Sequence, residues 1–114
     1  MKVVVQTGHL VGRSEIEYFL SRMPAALLRH LDTIVVYASR EGSVVVNFSG
    51  GTLGVHCPNV SSDVSAEAVV DEMAVSLLAL NDLGHIPERI SPSRRERYLA
   101  RWLEICGDRN EESQ

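Results

Sequence analysis

The chain has 114 residues, 45% of them apolar and 23% charged, with a net charge of −4 at pH 7. That length supports one hydrophobic core rather than two, and the negative balance disfavours a general nucleic-acid binder. No apolar run is long enough to span a bilayer, and Met1 to Gly8 is too short and too soon broken for a signal peptide, so the cytoplasm is the expected location.

Residues 2–6 read as a short, Val-rich, buried strand. Ser14 with Glu17 three residues on forms a capping box, and the apolar stripe Ile16, Phe19, Leu20, Met23 marks the helix that follows. Pro24 cannot donate a backbone hydrogen bond, so it kinks this helix or starts a second one through Leu27, Leu28 and Leu31.

Thr33 to Ala38, Ser43 to Phe48 and Thr52 to Cys57 are β-branched and aromatic. Glu41-Gly42 and Gly50-Gly51 separate them as tight turns, and Pro58 stops the third. Three such strands in succession predict an antiparallel meander, with strand 2–6 joining across the first helix. Either strand 33–38 or strand 52–57 is then the exposed edge, open to self-pairing or to a partner strand.

A helix capped by Asp63 or Ser65 runs to about Leu83, apolar nearly all round and hence buried. Gly84 and Pro87 stop it. Ser91-Pro92 opens the last helix, which buries Tyr98, Leu99, Trp102, Leu103 and Cys106 and ends at Gly107. The expected fold is α+β: a mostly antiparallel sheet of about four strands on about three helices, in the order β-α-β-β-β-α-α. Residues 1–107 form the single domain, and 108–114 a flexible acidic tail.

The run Val69-Val70-Asp71-Glu72-Met73-Ala74-Val75-Ser76-Leu77-Leu78 is the most informative segment. With the element order, the phrase Met23-Pro24 before a strand and the tail Asp82 to Pro87, it resembles the minimal zincin-like metallopeptidases. In that family a helix carries HExxH: two His grip zinc and the Glu polarises the attacking water. Here Asp71 and Val75 stand at the two His positions, and Glu72 at the Glu. Valine coordinates nothing, so the resemblance implies the scaffold without the zinc chemistry. No catalytic residue, metal or cofactor is expected.

The alternative is a small metal-dependent hydrolase on Glu72, with His56, Asp71 and His85 as zinc ligands, though their spacing matches no known pattern. The plainer reading makes His56 a strand-end residue and His85 a partner of a helix C-terminus, where a cation is favoured. Cys57 has no base or cation nearby to activate it. Cys57 and Cys106 form no CxxC and read as reduced thiols. Ser49-Gly50-Gly51-Thr52 lacks the Lys and the helix of a phosphate loop.

Charge is unevenly placed. No Lys or Arg lies between Arg40 and Arg89, whereas Arg89, Arg94, Arg95, Arg97 and Arg101 follow closely. Arg97 and Arg101 share one helix side, with Arg94 a turn earlier, beside Trp102; Arg and Trp are enriched at binding hot spots. The expected function is therefore a non-catalytic protein-interaction module (adaptor, inhibitor or assembly factor) that binds another protein through Arg94, Arg97 and Arg101 or through a sheet edge, as a homodimer in the latter case. A membrane partner is not expected.

Overall fold

The computed structural model describes residues 1–5, 12–39, 44–58 and 66–112. Their order is β1 Lys2–Val5, α1 Arg13–Arg22, a 3-10 helix Ala25–Leu28, β2 Thr33–Ser39, β3 Val45–Ser49, β4 Thr52–Pro58, α2 Ala66–Leu83 and α3 Pro92–Glu112. This is the α+β sequence of elements that the residue pattern implies.

The sheet is mixed, not mostly antiparallel. Its strand order is β1-β2-β4-β3. β1 and β4 both run parallel to β2, and β3 alone runs antiparallel, against β4. The meander is therefore wrong in one respect: β2 skips β3 and pairs with β4. The expected edges are wrong for the same reason. Strands β2 and β4 are central; β1 and β3 are the edges. A hairpin's short connection identifies its partner, but β2 reaches β4 only after the chain has passed through β3, and nothing local encodes that.

Local signals explain most boundaries. α1 begins two residues before the expected capping box: the Gly12 N–H donates to Glu15 Oε2 at 2.9 Å, which places the cap at Gly12 rather than Ser14. Met23 and Pro24 are extended and separate α1 from the 3-10 helix, because a residue before proline is pushed out of the α region. Gly50 and Gly51 both take positive φ, 55° and 84°, as a two-residue hairpin between twisted strands requires. Gly84 takes φ 81° and donates to the Leu80 carbonyl at 2.9 Å, closing α2. Ser91 accepts from the Arg94 N–H, with Pro92 as first helical residue of α3. α3 passes through Gly107 to Glu112, beyond its expected end. The Glu41-Gly42 turn and the Asp63 or Ser65 cap lie outside the described residues.

α2 is the spine of the molecule. Val69, Met73, Ala74, Val75 and Leu77 are fully buried, as are Ile34, Val36, Leu53 and Val55 of the sheet and Ile16 and Phe19 of α1. Each of these side chains larger than Ala74 stabilises the fold by about 1.5–3 kcal/mol through area removed from water. Trp102 of α3 closes the cluster against Phe19, ring centroids 5.8 Å apart. Leu103, expected in this core, points outward instead and is 55% exposed. β1, expected to be buried, is half open: Val4 is 39% exposed at its edge position.

Candidate functional site

The α2–α3 seam carries most of the chemistry-bearing residues. Asp71 and Glu72 follow one another on α2, so their side chains leave the helix about 100° apart. Asp71 Oδ1 accepts from the Trp102 indole N–H at 3.0 Å. Glu72 turns to the other flank and is held by the Arg95 guanidinium, whose Nη1 donates to Oε1 at 2.9 Å while Nη2 bonds Oε2. Asp82 accepts from the Tyr98 hydroxyl at 2.6 Å and lies 3.6 Å from Arg94. Three carboxylates of α2 thus lean on donors of α3.

Burial pushes the Asp71 carboxyl above its usual range; the Trp102 N–H opposes this, while Glu67 and Glu72 add to it. Arg95 is held more firmly protonated by its bond to Glu72. Burial raises the Cys57 thiol, which leaves it a poor nucleophile.

The ligands of the alternative metal site are not brought together. His56 lies on the sheet face away from the helices, stacked on Tyr37 with ring centroids 4.7 Å apart and 3.2 Å from the Asn47 side-chain nitrogen. Its neighbours Val55 and Cys57 point into the core, towards α2, so His56 and Glu72 are on opposite sides of the sheet. His85 sits past the end of α2 with Nδ1 3.3 Å from the Leu83 carbonyl. Among the described residues no three His, Cys, Asp or Glu side chains lie close enough to hold an ion.

Two clefts flank α3. The larger, about 480 Å³, has Glu15, Glu67 and Asp71 on its walls, Tyr18 and Trp102 within it and the exposed Leu103 at its rim. The second, about 380 Å³, has three arginines to one carboxylate: Arg97 and Arg101 come from α3, Arg29 from the end of the 3-10 helix and Asp82 from α2, with Leu27, Asn81 and Tyr98 also lining it. Arg97 and Arg101 are exposed and make no ion pair among the described residues. Arg29 Nη1 donates to the Ala26 carbonyl at 3.2 Å and Nε to His30 Nε2 at 3.3 Å, which fixes its guanidinium and leaves Nη2 facing outward from these bonds. Arg94, grouped with Arg97 and Arg101 by helical spacing, faces Asp82 instead.

Sequence reasoning missed Arg29. Its contribution depends on the 3-10 helix packing beside α2, which Asn81 secures by donating to the Leu27 carbonyl at 2.8 Å. An Asn on an apolar helix was the available signal. Tyr37 was missed because its place beside His56 follows from the β2–β4 register.

Comparison with known protein families, with curated proteins and with solved structures finds no match. No helix among the described residues is long and apolar enough to cross a membrane.

Proposed function

We propose that this chain is a non-catalytic protein-interaction module that grips an acidic segment of a partner protein in the basic cleft. The observation that carries this is the convergence of Arg29, Arg97 and Arg101 from two elements on one groove. Guanidinium forks match carboxylate geometry in pairs, and the groove floor offers Leu27 and Tyr98 for apolar contact. The zincin-like scaffold stays part of the proposal. It rests on the element order and on Glu72, whose pairing with Arg95 removes the free carboxylate that a general base needs.

The test is fluorescence anisotropy of a labelled Glu-rich peptide titrated with the full chain. Saturable, salt-sensitive binding is expected, weakened at least about tenfold by Arg97→Ala or Arg101→Ala, since one charge-assisted hydrogen bond contributes about 1.5–3 kcal/mol. Absence of saturation, or binding indifferent to both substitutions, overturns the reading. Tighter capture of a duplex DNA of equal charge would favour a nucleic-acid partner instead. Stoichiometric zinc in the purified protein, lost on Glu72→Gln, would favour the hydrolase.

A further inference from the structure

The cleft between the 3-10 helix and α3 carries an unbalanced charge. Its lining holds the guanidiniums of Arg29, Arg97 and Arg101 and one carboxylate, Asp82. Three positive groups against one negative group leave a surplus of two. Asp82 is also engaged elsewhere: it accepts from the Tyr98 hydroxyl at 2.6 Å and lies 3.6 Å from Arg94. Arg97 and Arg101 stand one helical turn apart, where like charges repel. Neither makes an ion pair among the described residues. In a chain of net charge −4, this positive surplus is a local feature that the fold itself does not neutralise.

Shape limits what can neutralise it. A cleft of about 380 Å³ is near the small end of ligand sites, which run from about 300 to 1,000 Å³. It admits one side chain and its immediate neighbours, not a helix or a duplex. Leu27, half-buried, offers apolar contact beside the charges.

We infer that the acidic group held between these arginines is a phosphate monoester, carried on a phosphorylated side chain of the partner segment. The inference rests on the groove reading above and specifies its ligand. At neutral pH a phosphate monoester bears about −1.5 to −2 charges and three acceptor oxygens on one phosphorus. That matches the surplus of the cleft. A single carboxylate bears one charge and two oxygens, and so leaves part of the surplus unanswered. Arg97 and Arg101 have all their side-chain N–H donors to offer as forks to phosphate oxygens. Arg29 contributes through Nη2, because the Ala26 carbonyl and His30 hold its Nη1 and Nε. A nucleic acid fits less well: its phosphates come in a run, and the net negative charge of the chain repels those outside the cleft.

The test is fluorescence anisotropy of the full chain with one Glu-rich peptide in three forms. The central position is serine, phosphoserine or glutamate. Phosphorylation should tighten binding at least about tenfold over the serine form, and glutamate by no more than about threefold. Arg29→Ala and Arg97→Ala should each cut the phosphorylation gain to that of glutamate. Arg89→Ala, exposed and outside the cleft, should preserve it. Inorganic phosphate should displace the phosphopeptide only at far higher concentration, because it makes no contact with Leu27.

A phosphorylated form that binds no better than the glutamate form overturns this inference and leaves the groove reading standing. A serine form that does not saturate counts against the groove reading instead. A gain that survives both Arg29→Ala and Arg97→Ala puts the phosphate elsewhere and sinks the assignment. Displacement by inorganic phosphate at the concentration of the peptide itself would make the ligand a free anion, which also overturns it.

Discussion

Arg95 closes on Glu72 with both terminal nitrogens, across 23 residues of chain and from one helix to the next. Glu72 is the residue that the proposed zincin-like resemblance puts in the place of a general base. In this protein it fastens the start of α3 to the middle of α2. The pair is half open to water, with side chains 44% and 23% exposed, so its strength is that of a surface fork rather than of a buried ion pair.

A double-mutant cycle of Glu72→Gln and Arg95→Ala should give a coupling of about 0.5–1 kcal/mol in urea unfolding, shrinking at high salt. A coupling near zero would mean that the fork does not hold in solution.

Asp71 makes stability depend on pH with a definite sign. Its carboxyl is raised above 3.8 in the folded chain, so the native state binds more protons than the unfolded state in the window above that value. Stability falls as pH rises through that window. Asp71→Asn still offers an oxygen to Trp102 and removes the charge that burial penalises. The variant should match its parent at the acid end and exceed it near neutrality. Glu15 works in the opposite direction: lowered below 4.5 by its backbone and Ser14 hydrogen bonds, it loses its contribution as pH falls. Paired urea melts across the acid range check both slopes.

Gly51 is the residue of the β3–β4 hairpin that cannot be replaced. Its φ is 84°, and a Cβ there would sit 2.5 Å from the Asp32 carboxylate. Its carbonyl also accepts from the Asp32 and Thr33 N–H groups, tying the hairpin to the start of β2. Gly51→Ala should cost about 1–2 kcal/mol from the left-handed backbone alone. Gly50, with open space around it, should cost less for the same change. Thermal melts of the two variants rank them.

Asn81 joins α2 to the 3-10 helix by donating to the Leu27 carbonyl at 2.8 Å and to the Leu77 carbonyl at 3.0 Å. Asn81→Ala strands the Leu27 carbonyl and should cost about 1–3 kcal/mol. Because Arg29 follows this turn, the same change should also weaken capture of an acidic peptide. Unaltered peptide affinity would separate the turn from the groove.

Cys57 is fully buried and its thiol is raised by burial. Alkylation at neutral pH should therefore label it at the rate of global unfolding, slowing further under stabilising salt. Fast labelling would place it nearer the surface than the sheet register allows.

Local chemistry made much of this protein legible from its residues. The all-round apolar pattern of 69–80 announced a buried helix, Gly50-Gly51 a hairpin, Gly84 and Ser91-Pro92 a stop and a start. These signals act within a few residues, through sterics and capping, so a linear reading recovers them. The element order followed from them. Arg97 and Arg101, the α3 arginines of the proposed groove, were visible as one helix side, whereas the pairing of Arg94 with Asp82 was not.

Tertiary packing decided the rest. Whether β2 pairs with β3 or with β4 is a competition between long-range partners, and the winner converts the expected edges into the centre of the sheet. That choice alone places His56 beside Tyr37 and away from Glu72. It also sets Val4 and Val45 on the sheet face opposite Val55 and Cys57. The acid–base partners of Asp71, Glu72 and Asp82 were hidden for the same reason: helices α2 and α3 cross in only one register, and side chains 16 to 31 residues apart meet only after the core has fixed it.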